Sequence, residues 1–298
     1  MRRLACALAL ACTTATAAPL EVREVAHGVF VHEGATLALD APGHDDIANI
    51  GFVVGERCVA VIDTGGSVRT GRALRETISA RTKLAVCYVI NTHVHVDHVL
   101  GNAAFQSEKP AFVGSATLAP AIEASRRYFV EHYPEDVGTP DQVVGPDTTV
   151  ATTRELDLGG RTLTLRAYPK AHTDSDMTVL VGDVGVLWTG DLLFVGRVPA
   201  LDGSAKGWLA AIDEIAKTHP NLVVPGHGPV SRDLAAALAP ERRYLETLVA
   251  GVRKEIADGK PIDDATAHVG QSEKAHWQLF DTANAHNVSL VYRELEWE

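Results

Sequence analysis

The run Leu84-Ala-Val-Cys-Tyr-Val-Ile-Asn91 constrains the fold more than any other stretch of this chain. It is apolar at nearly every position rather than at alternate ones, the pattern of a strand buried on both faces. It leads directly into Asn91-Thr-His-Val-His-Val-Asp-His98, which holds three imidazoles and a carboxylate within six residues. A buried strand ending in such a cluster points to an α/β protein with its site at the strand's C-terminal edge. Packing does not account for the cluster, because an ordinary core histidine is single and hydrogen-bonded. On an extended chain His93 and His95 point the same way. Neutral imidazole and carboxylate suit zinc, and also iron or manganese.

Short β-type runs punctuated by glycine precede this strand, at 20–25, 29–33, 49–54 and 58–63, with a helix predicted over 70–80. A strand at 111–114 and a helical connection over 116–133 follow. The second half repeats the theme with strands at 153–158, 162–168, 177–181, 186–189 and 222–225, and a hairpin turn at Asp183-Val-Gly185. Ser204 is placed to cap a helix reaching about Thr218, and Pro240 to open another running to about Ala257. The stretch from about Ser272 reads as mostly helical. No linker or composition shift divides the two halves, so residues 18–298 are read as one domain of paired sheets flanked by helices.

Three further candidates sit at strand ends. His172 follows Leu163-Thr-Leu-Arg-Ala-Tyr168, Asp191 ends Val186-Leu-Trp-Thr-Gly-Asp191, and His227 lies in Val223-Val-Pro-Gly-His-Gly228. Of the 13 histidines, His27, His32, His132, His219, His268 and His276 occur singly in polar or turn surroundings and are read as surface. His44 falls in the Gly/Pro loop Asp40-Ala-Pro-Gly-His-Asp-Asp46 and is a candidate for substrate contact, since loops carry binding groups. His286 is read as a structural contact, and Trp188, Trp208 and Tyr128 as core packing.

Residues 1–17 have the form of a cleavable secretory leader. Arg2 and Arg3 precede the apolar run 4–11, and Ala15-Thr-Ala17 supplies small residues at the cleavage site. The expected destination is the periplasm or the exterior, with lipoprotein anchoring at Cys12 as the alternative and no stable membrane insertion. Loss of the leader removes two Arg and no acid, taking the net charge from −11 to −13. An acidic chain without a basic stripe is a poor grip for nucleic acid, so a small-molecule substrate is expected. Cys58 and Cys87 remain after cleavage, both within apparent strands. Two free buried thiols are the expectation, and a disulfide the alternative in an oxidising compartment.

The Thr-His-Val-His-Val-Asp-His run resembles the His-x-His-x-Asp-His motif of the metallo-β-lactamase superfamily, and His172, Asp191 and His227 match its later ligand positions in order and context. Val61-Ile-Asp-Thr-Gly65 resembles the Asp-containing turn that supports the metal loop in that family. The resemblance runs from about Val29 to Gly228. It implies a four-layer αββα sandwich with a two-metal site at one edge. His93, His95 and His172 would hold the first metal and Asp97, His98 and His227 the second, with Asp191 bridging. Two zinc ions per chain are the expected cofactors. The segment His98-Val-Leu-Gly-Asn-Ala-Ala-Phe105 and the ending Asn287-Val-Ser-Leu-Val-Tyr-Arg-Glu-Leu-Glu296 are similar to the exported quinoprotein relay system zinc metallohydrolases.

Two divalent metals that share a water lower its pKa from about 15.7 to near 7, and so supply a nucleophile for ester, thioester, lactone or amide-type bonds. Asp97 is the residue expected to orient that nucleophile or receive its proton, besides binding metal. Some antibiotic-hydrolysing relatives carry Cys at the Asp191 position and Lys three residues on. Here Asp191-Leu-Leu-Phe194 lacks both, which makes β-lactam cleavage a secondary activity at most. Two rival readings are a mononuclear iron enzyme like the persulfide dioxygenases and a non-catalytic metal-binding protein.

Overall fold

Alternation along each strand sorts the side chains into layers. In β4 (Val59–Ile62), Ala60 and Ile62 face the interior between two sheets, while Val59 and Val61 face a helical layer outside. In β11 (Val186–Phe194), Val186 and Trp188 face inward and Leu187 outward, and in β12 (Leu222–His227) Leu222 and Val224 face inward and Val223 outward. Strands covered on both faces need no polar side, which is why these runs read as continuously apolar. The computed structural model describes residues 19–298, so the leader predicted over 1–17 lies outside the described residues.

One sheet has seven strands in chain order: β1 (Arg23–Ala26), β2 (Val29–His32), β3 (Ile50–Val54), β4, β5 (Val86–Ile90), β6 (Ala111–Ser115) and β7 (Thr148–Val150). Its first four strands are antiparallel and its last four parallel. The second sheet has the order β12-β11-β10-β9-β8, with β8 (Thr153–Asp157), β9 (Thr162–Ala167) and β10 (Met177–Val181) antiparallel and β11 parallel to β12. Outside the first sheet pack α1 (Val68–Arg81) and the 3-10 segment Leu100–Glu108. The short α2 (Val96–Val99), α3 (Leu118–His132) and α4 (Pro134–Val137) form a satellite cluster beside it around Leu118, Ile122 and Phe129. Outside the second sheet pack α5 (Ala205–Ile215), α6 (Leu234–Ala257), α7 (Ile262–His268) and α8 (Phe280–Leu295) around Trp208, Tyr244 and Leu248. The result is the αββα sandwich of two mixed sheets flanked by helices.

Four expectations change. Cys58 and Cys87 are joined in a disulfide, with Cα atoms 5.8 Å apart, rather than standing as free thiols. The parallel register pairs Val59 with Val86 and Ala60 with Tyr88, so Cys87 is the extra residue of a bulge beside Cys58. Strand β11 continues past Thr189 to Phe194 and carries Asp191 within it, because pairing with β12 persists to Phe194 and His227. Helix α6 starts at Leu234, capped by Asp233, and Pro240 lies inside it. The missing N–H there costs one helical bond, offset by burial of Ala237, Leu238, Tyr244 and Leu245 along the same face. Tyr128 is 49% exposed, because the buried stripe of α3 runs through Leu118, Ile122 and Phe129 and leaves its neighbour turned outward.

Candidate metal centre

Strand β5 ends at Ile90, and the chain crosses to α2 through five residues that carry His93 and His95. His95 is extended (φ −67°, ψ 150°), and Asp97 and His98 sit on the single turn that follows. The crossing is held from beneath. Asn91 and Asn102 exchange amide hydrogen bonds (2.7 and 3.1 Å), and Asn91 Nδ2 and Thr64 Oγ1 both donate to the His98 carbonyl. His172 comes from the loop after β9, Asp191 from within β11 and His227 from the end of β12. Gly226 passes so close to Asp191 that a Cβ there would meet Oδ1 at 1.9 Å, so only glycine lets the carboxylate stand where it does.

The seven candidate ligands fall into two groups whose donor atoms lie within 4.8 Å of one another. One is His93, His95, His172 and Asp191; the other is Asp97, His98 and His227. Asp191 joins them, its Oδ2 standing 3.7 Å from His93 Nε2, 3.5 Å from His172 Nε2 and 3.3 Å from His227 Nε2. Asp97 Oδ2 is 3.7 Å from His98 Nε2 and 3.3 Å from His227 Nε2. All seven are buried except His95, whose side chain is 27% exposed toward a cavity of about 430 Å³.

Each imidazole has its far nitrogen committed elsewhere. His98 Nδ1 bonds Asp63 Oδ2 (2.8 Å), His172 Nδ1 the Ala200 carbonyl (2.6 Å) and His227 Nδ1 the Ile47 carbonyl (2.8 Å). His93 Nδ1 bonds Thr92 Oγ1 (3.0 Å), which donates in turn to Asp63 Oδ2. His95 is reversed: Nε2 bonds Asp202 Oδ2 (3.2 Å), which turns Nδ1 inward to within 3.0 Å of His172 Nε2. Carbonyl and carboxylate acceptors require the proton on the outer nitrogen, so five inner lone pairs converge on the two carboxylates. His93 Nε2 is buried without any hydrogen-bond partner, and His98 Nε2 and Asp191 Oδ1, also buried, stand 3.1 Å apart but misaligned for a hydrogen bond. Orphaned acceptors at this density are unfavourable unless cations sit among them, so the donor set fits divalent metal.

Charge tells the same story. Burial, then the neighbouring His95, pushes the His172 imidazole down to about 3, and burial with His98 holds His93 neutral as well. Burial works against ionisation of Asp97, yet His98 and His227 outweigh it and hold the carboxyl well below its ordinary range. His98 is pulled the opposite way from His93: burial is overcome by Asp191, Asp97 and Asp63, which favour positive charge at that point.

Asp63 anchors this arrangement. It occupies the left-handed region (φ 53°) at the end of β4, and its carboxylate receives the Thr92 N–H and hydroxyl besides His98. The Val61-Ile-Asp-Thr-Gly65 segment thus meets the histidine loop, while His44 does not reach the candidate ligands. His44 bonds Asp136 at 2.9 Å in an adjoining cavity, and the loop contributes Leu39 to the metal cavity instead. Two residues read as structural or packing, His286 and Tyr128, line the metal cavity. His32, read as solvated surface, is half-buried between the Glu21 carbonyl and Asp46. Trp188 and Trp208 are core residues as expected, Trp208 meeting the His172 ring at 5.1 Å. Asp202, Thr92 and Arg197 escaped the sequence reading. Only Thr92 carried a local signal, lying inside the histidine run.

Residues 44–227 match the family model described as Metallo-beta-lactamase superfamily. The mouse (Mus musculus) mitochondrial persulfide dioxygenase ETHE1 is 25% identical over 149 residues, 48% of this chain and 50% of that protein. The stereoselective inverting sec-alkylsulfatase Pisa1 from Pseudomonas sp. superposes with a TM-score of 0.70 at 16% identity, over 93% of this chain and 50% of that one. A metallo-beta-lactamase family protein from Thermus thermophilus gives a TM-score of 0.67 at 20% identity, over 92% and 93%. The chain therefore spans about half the length of the persulfide dioxygenase and of the alkylsulfatase. At these identities the two structural likenesses speak for the fold, whereas the family model spans more than half of the sequence and includes every candidate ligand. This chain belongs to the metallo-beta-lactamase superfamily.

Proposed function

We propose that this protein is a metal-dependent hydrolase that uses two zinc ions to cleave an ester, thioester, lactone or amide-type bond in a small molecule. One observation carries the reading: two ligand groups share Asp191, with five imidazoles turned inward by their outer hydrogen bonds. His93, His95 and His172 would hold one ion, Asp97, His98 and His227 the other, with Asp191 between them. Metal held there would supply the Lewis acidity that lowers the pKa of a water beside the bond to be cleaved. Asp97 stays ionised because His98 and His227 outweigh its burial, and it faces the cavity, placed to orient the attacking water and accept its proton. Tyr133 lines the same cavity with its phenol pushed upward by burial and by Tyr128, so it remains a hydrogen-bond donor at neutral pH.

The likeness to an alkylsulfatase extends the substrate range to sulfate esters, and β-lactams remain a secondary class. The likeness to a persulfide dioxygenase favours a second reading, a single iron and oxygen-dependent chemistry. Elemental analysis of the purified protein separates them. About two zinc per chain with ester or thioester hydrolysis supports the first; one iron with oxygen uptake on a persulfide overturns it.

Residues 18–298 are assigned to one domain that follows a leader cleaved on export. The Cys58–Cys87 disulfide supports this, since such bonds persist in oxidising compartments. No helix among the described residues is long and apolar enough to cross a membrane. The similarity to the exported quinoprotein relay branch agrees with this location.

A further inference from the structure

The cavity over the metal centre holds one imidazole outside the ligand set. His286, on α8, lines the same cavity as Asp97 and Asp191. Its ring is exposed and makes no hydrogen bond, ion pair or ring contact among the described residues. The helix that carries it is fastened to the loop that steers two of the candidate ligands. Buried Asn287 accepts the Leu201 N–H (2.9 Å) and donates to the Pro199 carbonyl (2.7 Å). Further along α8, Glu294 accepts the Ala205 N–H (2.8 Å) at the start of α5. The loop between these bonds gives the Ala200 carbonyl to His172 and the Asp202 carboxylate to His95. His286 is therefore held at the cavity wall by its own helix, while its ring has no partner.

Cleavage of an ester or amide moves two protons, one off the attacking water and one onto the departing atom. Asp97 serves the first. Of the other titratable groups on the walls, His95, Asp191 and His227 are candidate ligands, and Asp202 is spent on His95. A guanidinium does not release its proton, which removes Arg197. A phenol keeps its proton at neutral pH, and burial with Tyr128 pushes that of Tyr133 higher still. Imidazole is the side chain that gives up and regains a proton near neutrality.

We infer that His286 donates the proton to the departing oxygen or nitrogen of the substrate; this rests on the hydrolase reading. As the water oxygen bonds to the acyl carbon, the bond from that carbon to the departing atom breaks and its electron pair stays on that atom. The proton from the His286 ring goes to the same atom, and the ring regains one from solvent. The chemistry served is that of unactivated leaving groups, alkoxides and amines, which depart poorly as anions.

Butyrate esters of ethanol and of 2,2,2-trifluoroethanol test this, because the leaving groups are alike in size and ethoxide is much the stronger base. In the zinc-loaded protein His286→Gln lowers kcat for the ethyl ester by about tenfold, less than a buried general acid supplies because water reaches this ring. The trifluoroethyl ester is affected far less. Added imidazole restores ethyl ester turnover in His286→Ala. Equal losses for both esters, or none, at unchanged zinc content overturn the assignment and leave the second proton to Asp97. A contact readout needs no turnover. The ring C–H resonances of His286, identified by their loss in His286→Gln, shift when phenyl methylphosphonate, whose phenoxy group marks the departing position, saturates the protein. Resonances that the bound analogue does not move also overturn it. If the wild type cleaves neither ester while those resonances do shift, the hydrolase reading fails and His286 is a binding group instead.

Discussion

The floor and the mouth of the cavity follow different rules. On the floor every imidazole has its outer nitrogen bound, Asp63 ties Thr92 and His98 together, and paired asparagines clamp the crossing loop. At the mouth a guanidinium has no carboxylate, a phenol and a leucine face solvent, and His286 stands exposed. Groups that position metal must be over-determined, because small errors in ligand placement are costly. Groups that meet substrate are left unpaired, because satisfying them internally would remove what they offer.

If that division holds, substitutions on the floor cost far more turnover than those at the mouth. The largest effect is expected from Asp97→Ala, a loss of about 10³-fold or more in kcat with the circular dichroism spectrum unchanged. Near-normal turnover at full metal loading would sink the role given to Asp97. Gly226→Ala comes next, since its Cβ would push Asp191 aside; a displacement of that kind costs about 100-fold, read as activity and as zinc retained after dialysis. Asp63→Asn removes the negative charge behind His98 and one of two acceptor oxygens, and should weaken metal binding by about 10- to 100-fold, measured by competition with a chelator.

The disulfide lies behind the floor and joins the two strands that deliver Asp63 and the histidine run. Its removal in a Cys58→Ser/Cys87→Ser double variant should lower stability by about 3–4 kcal/mol in denaturant melts, for a loop of this length. Turnover well below the midpoint should be retained; a parallel collapse of activity would place the bond within the site's machinery. The smallest effect belongs to the adjoining cavity, beyond the mouth. Burial disfavours the charged form of His44, but its bond to Asp136 outweighs that and raises its pKa. The pair therefore stabilises fully below His44's ordinary value of 6.5 and fades as pH rises through the raised folded value. Melting temperature against pH should lose that component in Asp136→Asn, and an unchanged profile would mean the pair contributes nothing.

How much was legible follows the same division. The grouping on the floor was readable because its candidate ligands crowd into His93 to His98 or sit at the ends of apolar strands, and those patterns are local. Asp191 reads as a strand's end because Gly190 and Asp191 break the run Val186-Leu-Trp-Thr189, whereas pairing with β12 carries the strand on to Phe194. The mouth draws on Leu39, Tyr128, Arg197 and His286, four segments with no shared pattern. His44 looked like the loop's contribution because it carries chemistry, but Asp136 holds it and Leu39 takes the place instead.

By itself the sequence determined paired sheets flanked by helices and a crowd of candidate ligands at strand ends, because hydrophobic periodicity and ligand spacing are properties of neighbours along the chain; the αββα order came from the family resemblance. Only the tertiary structure decided that Cys58 and Cys87 are bonded, that Asp202 turns His95 to present Nδ1, and that Arg197 stands unpaired beside His227. Each depends on sheet register or on the packing of distant loops, and a register shift of one residue would undo it without altering any local pattern.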